Sequence, residues 1–303
     1  MYHAFNFSGV LASSVEAAWQ VEDVLPPHSK LDFGRRFLPE ALARTDGLDF
    51  LGDDEKRVLN QIRGHEYLNI FGLVEEFIRP FVLDHARPQL NGDDHRVRAL
   101  LNFASEEAKH IHLLRLFHQR FTEAFGTPCE AIGPGEAIAA EVLRHDPLSV
   151  ALVILQVEWM TQSHYVDSVR DDRELDPLFK SLLKHHWMEE AQHAKLDTLM
   201  VEALADGRDE AGIQAAIDGY LEIGAFLDGG FAAQTAFNLD AFEKAIGRKL
   251  GDQRREHLQA QQHQALRWTY LGSGMVHPRF AATLAGLSPV ARDRVAAVAP
   301  AFS

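Results

Sequence analysis

Two short stretches, Glu107-Ala108-Lys109-His110 and Glu190-Ala191-Gln192-His193, constrain this chain more than anything else in it. Residues three apart on a helix lie side by side on one face. Each stretch therefore presents a carboxylate and an imidazole to the same point. Two such helices, with one further Glu from each of two more, build an inward-facing pair of metal sites in a four-helix bundle. The extra acids are available at Glu75 or Glu76 and at Glu158. As a count the pattern carries little: with 22 Glu and 16 His in 303 residues, about one Glu-x-x-His arises by chance. Its weight comes from helical phase and spacing.

At about 100° per residue from Glu107, the residues Leu100, Phe103, His110, Ile111, Leu114 and Phe121 fall within about 60° of it. Glu107 thus sits in the middle of an apolar stripe, where an unpaired carboxylate is costly; Glu106 falls off the stripe. Glu190 shares its face with Phe179, Leu183, Trp187, His193 and Ala194, and Glu158 with Ala151, Ile154, Leu155, Thr161 and Tyr165. Three acids centred on three apolar stripes need a common partner, and a buried cation supplies one. In the helix that precedes them the stripe is Ile70, Val74, Phe77, Ile78 and Phe81. Glu75 lies at its edge, Glu76 faces further away, and Glu66 lies about two turns too far along. Glu75 is the better placed fourth acid.

Spacing agrees with phase. Residues equidistant from the turn of an antiparallel helix pair lie at one level. The midpoint of Glu158 and Glu190 falls in the polar break Asp171-Asp172-Arg173-Glu174-Leu175-Asp176-Pro177, and that of Glu75 and Glu107 in Arg87-Pro88-Gln89-Leu90-Asn91-Gly92-Asp93-Asp94. Pro, Gly and Asp usage marks both as turns without reference to the acids. Each acid pair is separated by 32 residues. Seven residues beyond two of these acids, Tyr165 and Asp197 are candidates for outer support, Asp197 by holding a ligand imidazole through its second nitrogen.

One more histidine sharpens the pattern. The run His185-His186-Trp187-Met188-Glu189-Glu190-Ala191-Gln192-His193 places His186 one turn before Glu190 on the same face. This His-x-x-x-Glu-x-x-His helix resembles that of the p-aminobenzoate N-oxygenase family of di-iron proteins, within the ferritin-like class. The resemblance covers about residues 54–206; residues 1–50 and the C-terminal third carry nothing diagnostic of it. It implies Glu75, Glu107, His110, Glu158, His186, Glu190 and His193 as ligands of two Fe ions. Mixed carboxylate and imidazole donors also accept Mn. It further implies an O₂-dependent, monooxygenase-like oxidoreductase whose partners are O₂, a small organic substrate and an electron donor. N-oxygenation of an amine is its most specific form. Three other readings compete: a desaturase or hydroxylase on the same bundle, a ferroxidase or iron store, and a metal-binding protein without catalysis. The roughly 100 residues after the bundle argue against a cage-forming iron store.

The remaining composition narrows partners. Lys plus Arg number 30 against 44 Asp plus Glu, a net charge of −14, which disfavours nucleic acid and anionic membranes. Cys129 is the only cysteine, so no internal disulfide forms, as in a reducing compartment; its Gly126-Thr127-Pro128-Cys129 setting reads as incidental. The N-terminus lacks a basic start followed by an apolar run, and the longest apolar stretch, 148–157, is about half a membrane span. A cytoplasmic protein is expected, and a homodimer is compatible with the sequence.

The expected architecture is all-α: a ferritin-like four-helix bundle with a di-metal core and additional N- and C-terminal helices, in one domain spanning 1–303. The bundle helices are read at about 54–86, 94–125, 147–171 and 177–205, with a short helix at about 136–144 after a Gly- and Pro-rich crossover. Gly133-Pro134-Gly135 has no preceding strand and is no phosphate loop. Residues 1–50 read as an arm with short helices, broken by Pro26-Pro27 and Leu38-Pro39. Beyond 209, helical spacing runs from Ile213 to Phe226, breaks at Gly229-Gly230, and resumes over 240–250 and 253–270. Residues 270–278 read as a turn, with His277 a loop histidine. These C-terminal helices are expected to pack on the bundle.

Overall fold

The computed structural model describes residues 3–303, which are helical with no strand among them. An arm of three short helices, α1 (Phe7–Ala17), α2 (Val21–Val24) and α3 (Glu40–Ala43), leads into the bundle. The bundle comprises α4 (Asp53–Ala86), α5 (Asp94–Phe125), then α6 (Gly135–Leu143) as the crossover, α7 (Pro147–His164) and α8 (Pro177–Ala205). The tail is α9 (Glu210–Ala245), α10 (Asp252–Arg267), α11 (Ser273–Met275), α12 (Pro278–Leu287) and α13 (Pro289–Val298).

The bundle boundaries follow from local chemistry. Asp93, Asp146 and Asp176 each accept a backbone N–H at the start of α5, α7 and α8, satisfying donors that have no partner within the helix. Pro147 and Pro177 occupy the first helical position, where the missing N–H costs nothing. Gly126 ends α5 in the left-handed region at φ 79°, as helix C-termini commonly require. Short connections pair α4 with α5 and α7 with α8, and the two pairs face one another across the core.

Among the contacts that fasten the arm to the bundle, two sets of hydrogen bonds reach its later half. The Asn60 side chain on α4 accepts from the backbone of Phe37 and Leu38 and donates to the Leu38 carbonyl. Phe37 packs so closely on Gly64 that a Cβ there would stand 2.7 Å from its own Cβ. In the other set Asp176 accepts from both Asp32 and Phe179, capping α8 while holding the arm.

Three expectations need correction. No break occurs at Gly229-Gly230: α9 runs through both, 36 residues in all. Each Gly costs about 1 kcal/mol in a helix, less than α9 gains by packing along α4, α7 and α10. The third bundle helix does not reach 171 as α-helix; it widens into a π-turn at Tyr165–Val169. Residues 270–278 are likewise mostly helical, with a π-turn at Trp268–Gly272 passing into α11. Only Val276 and His277 are non-helical, and the His277 side chain caps α12. Among the described residues no helix is long and apolar enough to cross a membrane. Cys129 is half-buried, and burial pushes its thiol pKa up to about 12, which disfavours the nucleophilic thiolate.

Candidate metal centre

The bundle brings seven side chains to one point: Glu75 from α4, Glu107 and His110 from α5, Glu158 from α7, and His186, Glu190 and His193 from α8. None is more than 4% exposed. Two overlapping sets form. Glu75, His110, His186 and Glu190 place one donor atom each within 4.8 Å of one another, and so do Glu107, His110, Glu190 and His193. Glu190 joins the two halves. Its Oε1 lies 2.8 Å from His186 Nε2 and 3.1 Å from His110 Nδ1, while its Oε2 lies 3.0 Å from His193 Nδ1. Glu75 Oε1 is 3.0 Å from His186 Nε2, and Glu107 Oε1 is 2.9 Å from His193 Nδ1. Glu158 completes the ring beside Glu190, whose charge acts on it. Glu76 points the other way and pairs at 2.8 Å with Arg115 near the surface.

The imidazoles at the two Glu-x-x-His motifs are oriented from behind, and by residues the phase argument passed over. His193 turns Nε2 to Glu106 at 3.0 Å, and His110 turns Nε2 to Glu189 at 2.7 Å. Each acid immediately precedes a Glu of the inner ring and reaches across to the other helix, so α5 and α8 brace one another. This arrangement leaves each Nδ1 facing inward. Glu106 was expected off the apolar stripe; it is buried, at 6% exposure. The signal was available in the doubled acids Glu106-Glu107 and Glu189-Glu190, which follow one pattern, Glu-Glu-Ala-x-His. Lys109 donates to Glu189 at 2.5 Å and to the Trp19 carbonyl at 3.0 Å, with its ammonium 3.9 Å from the Trp19 ring centroid. The Trp19 ring in turn stacks on His110.

Neither residue expected to give outer support does so as proposed. Tyr165 opens the π-turn, where a phase carried on from Glu158 no longer applies, and stacks on Trp187 at 4.4 Å. Asp197 is fully buried near the ring, but both its oxygens lack hydrogen-bond partners and neither holds an imidazole.

The electrostatics show a site with more acid than side-chain cation. Burial alone would depress the His110 pKa, but Glu189 and Glu190 hold it well above the ordinary value. His193 is likewise raised against burial, chiefly by Glu190, Glu106 and Glu107. Burial raises His186's neighbour Glu75 to about 7, against the pull of that histidine. Burial and the Glu190 charge push Glu158 well up, and burial does the same to Asp197. Glu190 goes the other way: His186 and His193 overcome burial and hold it well below the carboxylate range. Protons thus carry the compensating charge among these groups.

The donor set fits a pair of divalent cations. Four inner carboxylates balance two such ions in charge, and three imidazoles add neutral nitrogen donors. Glu75 Oε2, Glu107 Oε2 and Glu158 Oε2 are buried without hydrogen-bond partners, a costly condition unless something binds them.

No protein-family model and no curated protein matches the chain. Solved structures do. It is similar to an R2-like ligand-binding oxidase in a glycine-to-leucine variant with an aerobically reconstituted Fe/Fe cofactor. That match has a TM-score of 0.51 and 14% identity, and covers 86% of this chain and 91% of that one. An R2-like ligand-binding oxidase with an aerobically reconstituted Mn/Fe cofactor matches with a TM-score of 0.50, at the same identity and coverage. At this identity the likeness is one of fold: the chain has the all-α, ferritin-like fold of these oxidases.

Proposed function

We propose that Glu75, Glu107, His110, Glu158, His186, Glu190 and His193 hold two Fe ions, or Mn in place of Fe, and that the protein is an O₂-dependent oxidase of a small organic substrate. The observation that carries this reading is the ring itself: four buried carboxylates and three buried imidazoles, with no Lys or Arg inside it. The Fe/Fe and Mn/Fe cofactors of the two similar oxidases support it. When bound, such a metal pair supplies two electrons to O₂ at one place.

The chain's own contribution is to hold and insulate. Glu190 belongs to both donor sets and would help to hold both ions. Glu106 and Glu189 fix the imidazole orientations and increase their donor strength. Phe71, Phe103 and Trp19 pack against the rings of His186, His193 and His110. These walls exclude water and strengthen every charge interaction inside.

N-oxygenation of an amine is the finer form of the proposal, supported by His186. It lies inside the ring, within 3.0 Å of Glu75 and Glu190. A third nitrogen donor enriches one metal position in imidazole. The test is metal analysis of purified protein followed by O₂ uptake of its reduced form with a panel of arylamines and alkylamines. About two Fe or Mn per chain with amine-dependent O₂ uptake is expected. One Zn per chain, indifferent to Glu107→Ala, overturns the metal reading. Uptake without oxidation of any amine leaves the oxidase and removes the N-oxygenase. His186→Ala then reports on the finer form: two metals retained, with altered absorption and loss of amine oxidation.

A further inference from the structure

A cavity of about 450 Å³ lies at the end of the bundle, where α4 and α8 finish and α5 and α7 begin. Phe81, Leu143, Val150 and Leu204 give it apolar walls. Its floor is separate from the ring described above: Phe81 is six residues past Glu75, and Val150 eight before Glu158, so about 9 and 12 Å of packed helix intervene.

Arg96 stands in this cavity without an acid. Its guanidinium lies 5.3 Å from the Phe7 ring centroid and donates to His85 Nε2 at 3.1 Å, while its Nε is buried and unbonded. Burial and the Arg96 charge lower the His85 pKa, so His85 is a neutral acceptor and leaves the cation unspent. The nearby acids are otherwise engaged: Asp84 pairs with Arg87 at 2.6 Å and Asp146 with Arg208 at 3.0 Å. Across the cavity the His145 side chain is 7% exposed, and its Nε2 has no hydrogen-bond partner. Its Nδ1 faces the Glu141 and Val142 carbonyls, which leaves Nε2 turned toward the cavity. The exposed Glu222 carboxylate stands 3.5 Å beyond it.

We infer that this cavity is a binding site for a small carboxylate with an apolar body, the carboxylate held by Arg96 and the body against Phe81, Val150 and Leu204. A guanidinium fixed by an aromatic ring and a neutral imidazole is already oriented for a carboxylate, and it sits on a chain that is otherwise strongly acidic. A hydroxyl on the ligand's body would meet His145 Nε2. The site is independent of what the metal ring does.

Calorimetric titration of the metal-loaded, full-length protein with sodium hexanoate and with hexan-1-ol tests this. Hexanoate should bind about tenfold or more tightly than the alcohol, the value of a charge-assisted hydrogen bond. Arg96→Gln should remove that preference and leave the alcohol unchanged. Ala203→Trp, at an exposed position on the rim, should weaken both ligands without disturbing the fold. Equal affinity for acid and alcohol overturns the proposal, as does a preference for hexanoate that survives Arg96→Gln, which would put the carboxylate elsewhere, the metals included. Absence of hexanoate binding overturns it too.

Discussion

Glu66 and Glu75 lie on the same helix, nine residues apart, and both are buried. They are nevertheless opposite cases. Glu66 is answered by its own chain: Arg63 pairs with its Oε2, and Asn238 donates to the same oxygen at 2.6 Å. Arg63 also donates to the Leu42 carbonyl. Burial still pushes the Glu66 pKa up against these partners, so the pair is not a bargain in free energy. Glu75 has only His186 and its shared neighbours, and no Lys or Arg acts on it. Burial alone therefore does not mark a metal ligand. What distinguishes the two regions is whether a fixed cation from the protein closes the charge.

Substitution inside each region gives the largest contrast. Glu107→Ala or Glu190→Ala should reduce bound metal from about two per chain to one or none, because the ligand set is sized for a pair. Glu66→Gln should leave metal content untouched. Metal analysis of the three purified variants decides between them. Full metal content in Glu190→Ala would erase the distinction drawn here, since Glu190 is the residue that touches both halves.

The Arg63 side of the comparison predicts a loss of folding stability. Arg63→Met leaves Glu66 buried with no cation and should cost about 3–5 kcal/mol. The double change Arg63→Met with Glu66→Leu should recover much of that, because no charge is then stranded. Urea unfolding of both variants provides the test. A single variant as stable as the wild type would mean that Glu66 already holds a proton.

Removing metal should have an effect of comparable size on the other side. A ligand bound only to the native state, at about a thousand times its Kd, stabilises it by roughly 4 kcal/mol. The metal-free protein should melt lower and lose protection in the middle of α5 and α8. The pH dependence has a defined sign. His110 and His193 hold protons tightly in the metal-free chain, and metal must displace them. Affinity should therefore fall as pH falls. An equilibrium competition with a chelator at pH 8, 7 and 6 would show it; affinity independent of pH would place the metal on other groups.

The two acids behind the imidazoles should matter less than the ring and more than the surface. Glu106→Gln and Glu189→Gln each keep a hydrogen-bond acceptor but remove its charge, and each should weaken metal binding about 10- to 100-fold. Glu76→Gln, one residue from Glu75 but facing Arg115, should change nothing measurable. If Glu76→Gln behaves like Glu106→Gln, the orientation of α4 is wrong.

How much of this was legible in the sequence depended on periodicity. Glu107, Glu158 and Glu190 stood at the centres of apolar stripes, and their equal distances from two turns gave their level in the bundle. Those are local regularities of an unbroken helix. The reading lost its footing wherever that regularity stopped. Tyr165 left its extrapolated face because α7 widens there, and Gly229-Gly230 signalled a break that packing along α4 and α7 overrides. Glu106 and Glu189 escaped the phase argument for a different reason: each is buried by a neighbouring helix, a fact of three-dimensional packing, and only the repeated Glu-Glu-Ala-x-His pattern marked them in the sequence. The Arg63–Glu66–Asn238 cluster was hidden in the same way, since Asn238 reaches Glu66 across 172 residues.

Two buried histidines outside the ring supply the smallest and most quantitative test of the comparison. Burial lowers the pKa of His65 to about 3, helped by the nearby His118, and that of His164 to about 3, helped by His277. His164 keeps one hydrogen bond, at 2.9 Å to Ser273. Neither has a carboxylate beside it, so both stay neutral where His110 and His193 are protonated in the absence of metal. In the unfolded chain the same residues take up a proton below about pH 6.5. Their contribution to stability is therefore complete above that pH and is lost progressively as pH falls toward 3. The slope should be about 1.4 kcal/mol per pH unit for each histidine. The metal centre also titrates over this range, and comparing each variant with the wild type cancels that part. His65→Gln and His164→Gln should each flatten the stability curve between pH 6.5 and 5 by about that slope, measured by urea unfolding of metal-loaded protein. An unchanged curve in His65→Gln would mean that His65 is protonated in the folded state and has an acid partner after all. Buried imidazoles here would then follow the rule of the ring, and the contrast would rest on Glu66 and Arg63 alone.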